Sequence, residues 1–270
     1  MLFRIIYKPV ENCIDIAKLI ASILRQQGVE TELYSVDDLF MEDNVKPDVV
    51  VSIGGDGTLL KISYVYQAYT PLILPIPCGR RTAFYENISH KDYEKIVKRV
   101  INGEFYIEEL KRIRIMFHEN QYVSLNEVML LSRDRGKVTG FTIEVKTPWH
   151  RTSYSFDGDG LLIGPSPGSP AYNLSAGGPI VTSDLDSIFI TPLHPMELSV
   201  KPVIIPFYSK IRIYSRGCIE LYIDGFKISD LEPNTEVYVE GSVKSLRVIR
   251  TYAYRDYISE VYVKRSYRKT

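Results

Sequence analysis

Apolar residues in the first hundred positions recur with two different periods, one typical of strands and the other of helices. Leu2 to Lys8 alternates in the manner of a strand, and Val29 to Tyr34 and the run from Val49 are predicted to be two more. Between them, Cys13 to Gln27 carries apolar side chains at helical spacing and is followed by Gly28, which ends the helix. Strands and helices in alternation favour a parallel sheet with helices packed on its faces.

A further strand, Pro71 to Ile76, and a helix, Tyr93 to Ile101, continue this pattern before it changes. Beyond Phe105, apolar residues follow period-two runs separated by turn residues every ~8–12 positions, which is typical of an antiparallel sandwich. The predicted fold class is therefore α/β plus all-β. A Rossmann-like parallel-sheet domain over residues 1–105 is followed by an antiparallel β-sandwich domain over residues 106–250.

The stretch from Val49 to Lys61 combines a buried strand with a turn that suits a ligand. Its β-branched run breaks into Gly54, Gly55, Asp56 and Gly57 and then resumes as a helix-compatible sequence. The N–H groups and positive dipole end of such a helix attract anions, and ligands of parallel sheets bind beyond the carboxyl ends of the strands. Asp56 would repel a phosphate, so it suits a general base, a group that binds a hydroxyl, or one that meets a cation. The alternative is a tight turn in which the aspartate caps the helix.

The charge balance and the cysteines limit the classes of protein to which this chain could belong. Lys plus Arg and Asp plus Glu both number 33, so no general field for nucleic acid is expected. No apolar run approaches the ~20 residues that cross a bilayer, and the first residues turn polar too soon for a signal peptide. Cys13, Cys78 and Cys218 are odd in number and lack metal or redox spacing. This predicts reduced thiols in a cytoplasmic protein with no membrane partner.

Several blocks of sequence resemble the NAD kinase family and occur in that family's order. They are its GGDGT signature at Gly54–Thr58, its Asn-Glu motif in Leu125–Val128, a glycine-rich substrate segment formed by Asp159–Ile163 and Gly168–Ile180, a Thr-Pro-x-x-Pro stretch at Thr191–Pro195, and a late Asp-Gly in Ile223–Gly225. A lone GGDG also fits diacylglycerol and sphingosine kinases, and distantly the phosphofructokinases. The block Ser169–Pro179 is far more specific and favours NAD kinase.

The resemblance implies transfer of the γ-phosphoryl of ATP, or of another donor such as polyphosphate, to the 2′-hydroxyl of the NAD adenosine ribose, with Mg²⁺ accompanying the donor. Asp56 matches the family's catalytic carboxylate and is expected to be the general base. Gly54, Gly55 and Gly57 are expected to bind phosphate. The residues expected to bind NAD are Asp56, Gly57, Asn126, Glu127, Lys137, Asp157, Asp159, Pro170, Ala171, Tyr172, Asn173, Leu174 and Ser175. Residues 251–270 are expected, by the same resemblance, to pack back on the first domain.

Some of these positions have a plainer interpretation. Lys61 and the pair Arg80 and Arg81 suit phosphate, but a solvated helix lysine and surface arginines fit about equally well. Lys137 lies where relatives place a contact from a neighbouring subunit, yet the charged residues around it favour an ordinary hairpin slightly more. The loop Pro77–Phe84 lacks the family's usual Asn and most of its glycines, which leaves the local contact to ATP open.

Two other classes of function remain alternatives. One is a lipid or sugar kinase that shares the GGDG cradle, and the other is a nucleotide-binding sensor without catalysis, against which the retention of Asp56 argues. A sandwich with glycine-rich loops favours a homodimer or homotetramer. His194 replaces a residue that is often Cys in the family and is predicted to be buried and hydrogen-bonded rather than catalytic.

Overall fold

The fold described here is that of a computed structural model, which describes residues 1–40, 45–78, 83–134 and 136–251. The α-helices of the described residues are α1 (Glu11–Gln26), α2 (Asp56–Val65), α3 (Tyr93–Ile101) and α4 (Tyr172–Ser175). The strands are β1 (Leu2–Tyr7), β2 (Glu30–Ser35), β3 (Val49–Gly54), β4 (Leu72–Pro77), β5 (Tyr106–Leu110), β6 (Ile113–Phe117), β7 (Asn120–Ser124), β8 (Val128–Ser132), β9 (Thr139–Lys146), β10 (Arg151–Gly158), β11 (Gly160–Pro165), β12 (Ser187–Leu193), β13 (Val203–Pro206), β14 (Lys210–Ser215), β15 (Ile219–Ile223), β16 (Phe226–Leu231), β17 (Val237–Gly241) and β18 (Leu246–Arg250).

The first compact unit is built on a six-stranded sheet in the order β2-β1-β3-β4-β18-β5. Strands β1 to β4 and β18 all run in the same direction, and the edge strand β5 runs antiparallel to its neighbour β18. Helix α1 buries its apolar face, which includes Ile16, Ile20 and Leu24, in a core shared with α3 and the sheet. Because β3 is central, all six of its residues are buried, and its carboxyl end opens directly into α2.

The second compact unit consists of two six-stranded antiparallel sheets. Their orders are β10-β9-β14-β17-β6-β7 and β13-β12-β11-β8-β15-β16. Alternate residues of the strands, such as Ile143, Ile163 and Leu221, form one buried core, as expected of a sandwich in which each sheet has an inner face. The predicted fold class, a parallel-sheet domain followed by an antiparallel β-sandwich, is therefore confirmed.

The limits of the units differ from the predicted ones at two strands. In the part of the chain that the structure describes, the first unit comprises residues 1–110 and 246–251, and the second comprises residues 111–245. Strand β5 was expected in the sandwich, but it pairs antiparallel with β18, and β18 itself pairs parallel with β4. Alternation along a strand shows that one face is buried but not which sheet the strand joins, so the pattern could not assign β5 and β18. Only Thr251 of the expected 251–270 segment lies within the described residues.

The prediction that all cysteines are reduced is wrong for two of them. Cys13 and Cys78 form a disulfide with their Cα atoms 5.5 Å apart, and Cys218 is a free thiol. The carboxyl end of β4 lies beside the first turn of α1, where the Asn12 side chain also donates a hydrogen bond to the Cys78 carbonyl oxygen (3.4 Å). The two cysteines are 65 residues apart, so sequence spacing gave no sign of their proximity.

We expect reduction of this disulfide to lower the free energy of unfolding of the first unit by about 2–4 kcal/mol, because the bond closes a long loop in the unfolded chain. Urea unfolding with and without reductant measures the change. The variant Cys13→Ser should reproduce it, whereas Cys218→Ser should leave the effect of reductant unchanged. Alkylation of three thiols in the folded, unreduced protein would contradict the pairing.

Within the described residues, no helix has both the length and the apolar character that crossing a bilayer demands.

Candidate functional site

The turn between β3 and α2 packs tightly on its inner side and is open on its outer side. Gly55 takes the N-cap position of α2 in an extended conformation, with φ −134°. A Cβ on Gly54 would collide with the side chain of Thr58, one turn into the helix, whereas a Cβ on Gly57 would meet no atom within 4 Å. Gly54 is therefore required by close packing, and the exposed Gly57 leaves its backbone accessible to another molecule.

Asp56 does not cap α2 with its side chain. It is the first residue of the helix, and its half-buried carboxylate accepts two backbone hydrogen bonds from the following loop. The Ala83 N–H donates to Oδ2 (2.9 Å) and the Phe84 N–H donates to Oδ1 (3.2 Å). The two amide donors fix the orientation of this carboxylate at the N-terminal end of α2.

The loop that binds Asp56 is itself held by the end of β18. The Arg250 guanidinium donates to the Phe84 carbonyl oxygen (2.7 Å) and pairs with Glu108 (2.5 Å). The N–H and hydroxyl of Thr251 both donate to the buried carboxylate of Glu86 (3.0 and 2.8 Å). Strand β18, which brings the chain back to the first sheet, thus holds in place the N–H groups of Ala83 and Phe84 that orient Asp56.

In the second unit, the turn between β7 and β8 is organised by the buried Asp224. Its carboxylate accepts hydrogen bonds from the Ser124 hydroxyl (2.6 Å) and from the N–H groups of Leu125 (3.0 Å), Asn126 (2.7 Å) and Glu127 (3.2 Å). Asp224 has φ 50°, a left-handed conformation that Asp tolerates better than most residues. One carboxylate therefore fixes the backbone of the whole Asn126–Glu127 turn.

Sequence reasoning identified Asp224 only as part of an Asp-Gly motif and missed this role. The signal that could have found it is a carboxylate followed by Gly225, which has φ 86°, at the end of an apolar strand. Such a turn forces the side chain to find local partners. Which backbone it would bind, however, depends on a pairing of strands about a hundred residues apart.

The turn between β7 and β8 contains buried polar side-chain atoms that have no hydrogen-bond partner within the described part of the chain. They include Asn126 Oδ1 and Glu127 Oε2. Burial and, to a smaller extent, the nearby charge of Asp224 together raise the pKa of Glu127 to about 8. Burial also raises the pKa of Asp224, against the lowering effect of its four donors. Because buried polar atoms are normally paired, these two acceptors are available to a ligand.

The raised pKa of Glu127 predicts a pH-dependent stability. A folded-state pKa of about 8 against an ordinary value of 4.5 means that the folded chain binds the proton more tightly than the unfolded chain. This contribution to stability is fully present below pH ~4.5 and is lost as the pH rises to about 8. Glu127→Gln stays neutral, so urea unfolding should show this variant gaining stability relative to the natural chain across that window, by on the order of 5 kcal/mol. A difference that is independent of pH would contradict the shift.

The glycine-rich segment packs directly on the Asn126 turn. A Cβ on Gly164 or Gly168 would collide with the Asn126 backbone. Asn173 is fully buried, and its side chain donates to the carbonyl oxygens of Ser169 and Pro179 (both 2.9 Å) while accepting from the Thr191 hydroxyl (2.6 Å). These polar atoms hold the loop together, so Asn173 shapes the surface rather than presenting its amide to it.

The other predicted members of this segment differ in exposure. Pro170 is buried, Ala171 and Leu174 are half-buried, and Tyr172 and Ser175 are exposed. The short helix α4 thus exposes the aromatic ring of Tyr172 and the hydroxyl of Ser175 to solvent.

Two other predicted acidic residues of the second unit, Asp157 and Asp159, are paired with basic side chains. Asp159 Oδ2 lies 2.9 Å from Nδ1 of His194, and Asp157 forms an ion pair with Arg216. The His194 side chain is 86% exposed, so the prediction of a hydrogen-bonded histidine holds but that of a buried one is wrong. His194 has φ 45°, and this left-handed turn directs its ring outward from the end of β12.

Two of the predicted basic residues, Lys61 and Lys137, lie within the described part of the chain. Lys61 is half-buried on α2 with its ammonium 6.0 Å from the centre of the Tyr64 ring. Lys137 is exposed in the turn before β9 and pairs with Asp134 (3.3 Å). Arg80 and Arg81 lie outside the described residues. Among the residues described, no cluster of three or more His, Cys, Asp or Glu side chains could hold a metal ion.

Comparison with known proteins matches both units. The family described as the ATP-NAD kinase N-terminal domain matches residues 12–105, and the ATP-NAD kinase C-terminal domain matches residues 125–251. An NAD kinase of Clostridium botulinum is 31% identical over 246 residues, which covers 87% of this chain and 84% of that protein. An NAD kinase of Pyrococcus abyssi is 29% identical over 262 residues, covering 89% and 90% of the two chains.

Two solved structures share the fold. An NAD kinase from Archaeoglobus fulgidus in complex with ATP superposes with a TM-score of 0.81 at 24% identity over 98% of both chains. Yeast NADH kinase complexed with NADH has a TM-score of 0.81 at 20% identity, covering 100% of this chain and 89% of the yeast chain. The fold of this chain is the one that these two kinases share. The matches over both units show that this chain belongs to the NAD kinase family.

Proposed function

We propose that this chain transfers the γ-phosphoryl group of ATP to the 2′-hydroxyl of the adenosine ribose of NAD, which yields NADP and ADP. The observation that carries the proposal is the Asp56 carboxylate, which two backbone N–H groups hold at the open N-terminus of α2. Relatives at about 30% identity over most of their length are NAD kinases. A lipid or sugar kinase is not favoured, because those relatives and both family matches point to NAD.

Asp56 acts as the general base in this proposal. The 2′-hydroxyl oxygen forms a bond to the γ-phosphorus while the bond from that phosphorus to the oxygen bridging the β-phosphate breaks, and the hydroxyl proton passes to the Asp56 carboxylate. The charge that develops resides mainly on the phosphoryl oxygens, so positioning and electrostatics dominate the catalysis. The backbone of Gly54, Gly55 and Gly57 would bind phosphate, and Lys61 would add a positive charge one turn into α2.

Mg²⁺ would enter as part of the nucleotide substrate. The ion would be bound chiefly by the phosphates and water, because Mg²⁺ keeps several waters and usually binds through substrate phosphates. The ion would neutralise charge on the donor, and the chain's own groups would orient that donor. A solved relative contains ATP, which supports ATP as the donor here; polyphosphate is the alternative for the same cradle.

The second unit would bind the dinucleotide. The unpaired Asn126 Oδ1 and Glu127 Oε2 suit an adenine amino group and a ribose hydroxyl, respectively. Tyr172 offers a ring face for stacking. The rest of the proposed binding surface would be formed by Pro170, Ala171, Leu174 and Ser175, and the buried Asn173 would hold this segment in its conformation. Asp157, Asp159 and Lys137 are proposed to contact the rest of the dinucleotide, and each would first exchange its present ionic partner. We also propose a cytoplasmic homodimer or homotetramer.

The test is the formation of NADP by the purified chain. NAD and Mg²⁺ are supplied with ATP, other nucleotides or polyphosphate in turn, and NADP is measured with an NADP-specific dehydrogenase. Diacylglycerol, sphingosine and sugars serve as competing acceptors with labelled ATP. The proposal expects NADP as the main product. Transfer of label to a lipid or sugar with no NADP would contradict it.

A further inference from the structure

The hydroxyl of Tyr85 lies directly behind the turn that carries Asp56. Its side chain is fully buried, and the hydroxyl oxygen lies 2.7 Å from Ser52 Oγ and 2.9 Å from the Gly55 carbonyl oxygen. A carbonyl oxygen only accepts, so the single phenolic hydrogen points to Gly55. The Ser52 hydroxyl must then donate to Tyr85. The result is a short relay of hydrogen bonds from the middle of β3 to the start of α2.

We infer, on the basis of the proposed function, that Tyr85 is a positioning residue for phosphoryl transfer and orients the peptide that joins Gly55 to Asp56. The Gly55 carbonyl belongs to that peptide. In a trans peptide the C=O and N–H point in opposite directions, and the described residues contain no cis peptide bond. Holding the carbonyl towards Tyr85 therefore directs the Asp56 N–H to the opposite side, away from the core.

The same loop holds Asp56 at both its backbone and its side chain. Ala83 and Phe84 bind the two carboxylate oxygens, and the next residue, Tyr85, binds the carbonyl just before Asp56. The Gly55 carbonyl oxygen also accepts the N–H groups of Thr58 (2.9 Å) and Leu59 (3.3 Å), the first bonds of α2. Tyr85 thus links the orientation of the base to the start of the helix whose N-terminus faces the phosphates.

The phenol keeps its hydrogen whenever the protein is folded. Burial raises the pKa of Tyr85 well above its usual value, the hydrogen bond from Ser52 lowers it, and the charge of Asp56 raises it again. The hydroxyl is therefore a permanent donor to Gly55 and takes no proton from the reaction. It does not touch substrate, and its influence on the rate must pass through Asp56.

A second tyrosine of the same unit provides a matched control. Tyr93 on α3 is also buried, but its hydroxyl has no hydrogen-bond partner among the described residues. Tyr85→Phe and Tyr93→Phe each remove one buried hydroxyl from the first unit. Only the first substitution removes a bond to the catalytic turn.

The experiment measures kcat, the KM values for NAD and ATP, and thermal stability for both variants, alone and combined with Asp56→Asn. Tyr85→Phe should lower kcat by about 10–100-fold, as expected for one buried hydrogen bond that is lost in the transition state. KM for NAD should change less than about twofold, since only the reacting end is disturbed. Tyr93→Phe should leave kcat unchanged. On the Asp56→Asn background, Tyr85→Phe should cause little further loss, because both act through one group.

A value of kcat for Tyr85→Phe within twofold of the natural chain would overturn the inference, as would an equal fractional loss on the Asp56→Asn background. If Tyr85→Phe does not fold, the variant Ser52→Ala tests the inference instead. It removes the hydroxyl that donates to Tyr85, so it should also lower kcat, but by a smaller factor. Unchanged kcat in Ser52→Ala would then overturn it. Absence of NADP formation by the natural chain would instead refute the proposed function, so the two failures are distinguishable.

Discussion

Replacing Asp56 by asparagine is expected to lower kcat for NADP formation by about 10²–10⁴-fold, the usual contribution of a general base. Asparagine has nearly the same shape, so NAD should still bind with an affinity close to that of the natural chain. It cannot accept the proton of the ribose hydroxyl. It also places an amide N–H₂ against one of the two N–H donors of Ala83 and Phe84, which adds to the loss.

The measurement compares steady-state rates with calorimetric binding of NAD. Asp15→Asn, which removes an exposed carboxylate from α1 of the same unit, should leave both unchanged. If Asp56→Asn turns over at the natural rate, Asp56 is not the base.

Replacing Asp224 by alanine is expected to weaken NAD binding by about 100-fold or more and to destabilise the second unit by several kcal/mol. The Ser124 hydroxyl and three backbone N–H groups would lose their acceptor inside the protein, and each unsatisfied donor costs roughly 1–3 kcal/mol. The turn that carries Asn126 and Glu127 would then lose its defined backbone.

The size of the effect should be graded with the number of bonds kept. Asp224→Asn retains Oδ1, which accepts from Ser124 and from the N–H groups of Asn126 and Glu127, and loses only the bond to Leu125. We expect it to weaken NAD binding by roughly tenfold. Asn234→Ala is the control for backbone strain, since Asn234 also has a positive φ (62°) but is exposed. Binding of NAD by Asp224→Ala at the natural affinity would contradict the role given to Asp224.

The sequence was sufficient for the parts of the fold that depend on local pattern. The predicted helix Tyr93–Ile101 coincides with α3, and the run from Val49 ends at the glycine turn where β3 ends. Both signals lie within a single element: an apolar face at helical spacing, and a β-branched run that stops at glycine. The period-two pattern beyond Phe105 did not show where one strand ends and the next begins. The segment Tyr106–Phe117 forms two strands in different sheets, β5 and β6, with Lys111 and Arg112 between them.

The parts of the site that depend on distant pairing were not accessible to sequence reasoning. Three sets of hydrogen bonds join residues that only the strand order brings together. They are the bonds from Ala83 and Phe84 to Asp56, the bond from Arg250 to the same loop, and the four bonds to Asp224. The disulfide between Cys13 and Cys78 belongs to the same class. Motifs revealed which residue types the chemistry needs, while the contacts that orient them arise from the topology.

The most direct test of the central claim is a crystal structure of the Asp56→Asn variant with NAD, in which slow turnover preserves the substrate. The account predicts that the 2′-hydroxyl oxygen of the adenosine ribose lies about 3 Å from the side chain of residue 56, within hydrogen-bond reach of a base. An adenosine ribose bound well away from that side chain, with its 2′-hydroxyl directed elsewhere, would contradict it.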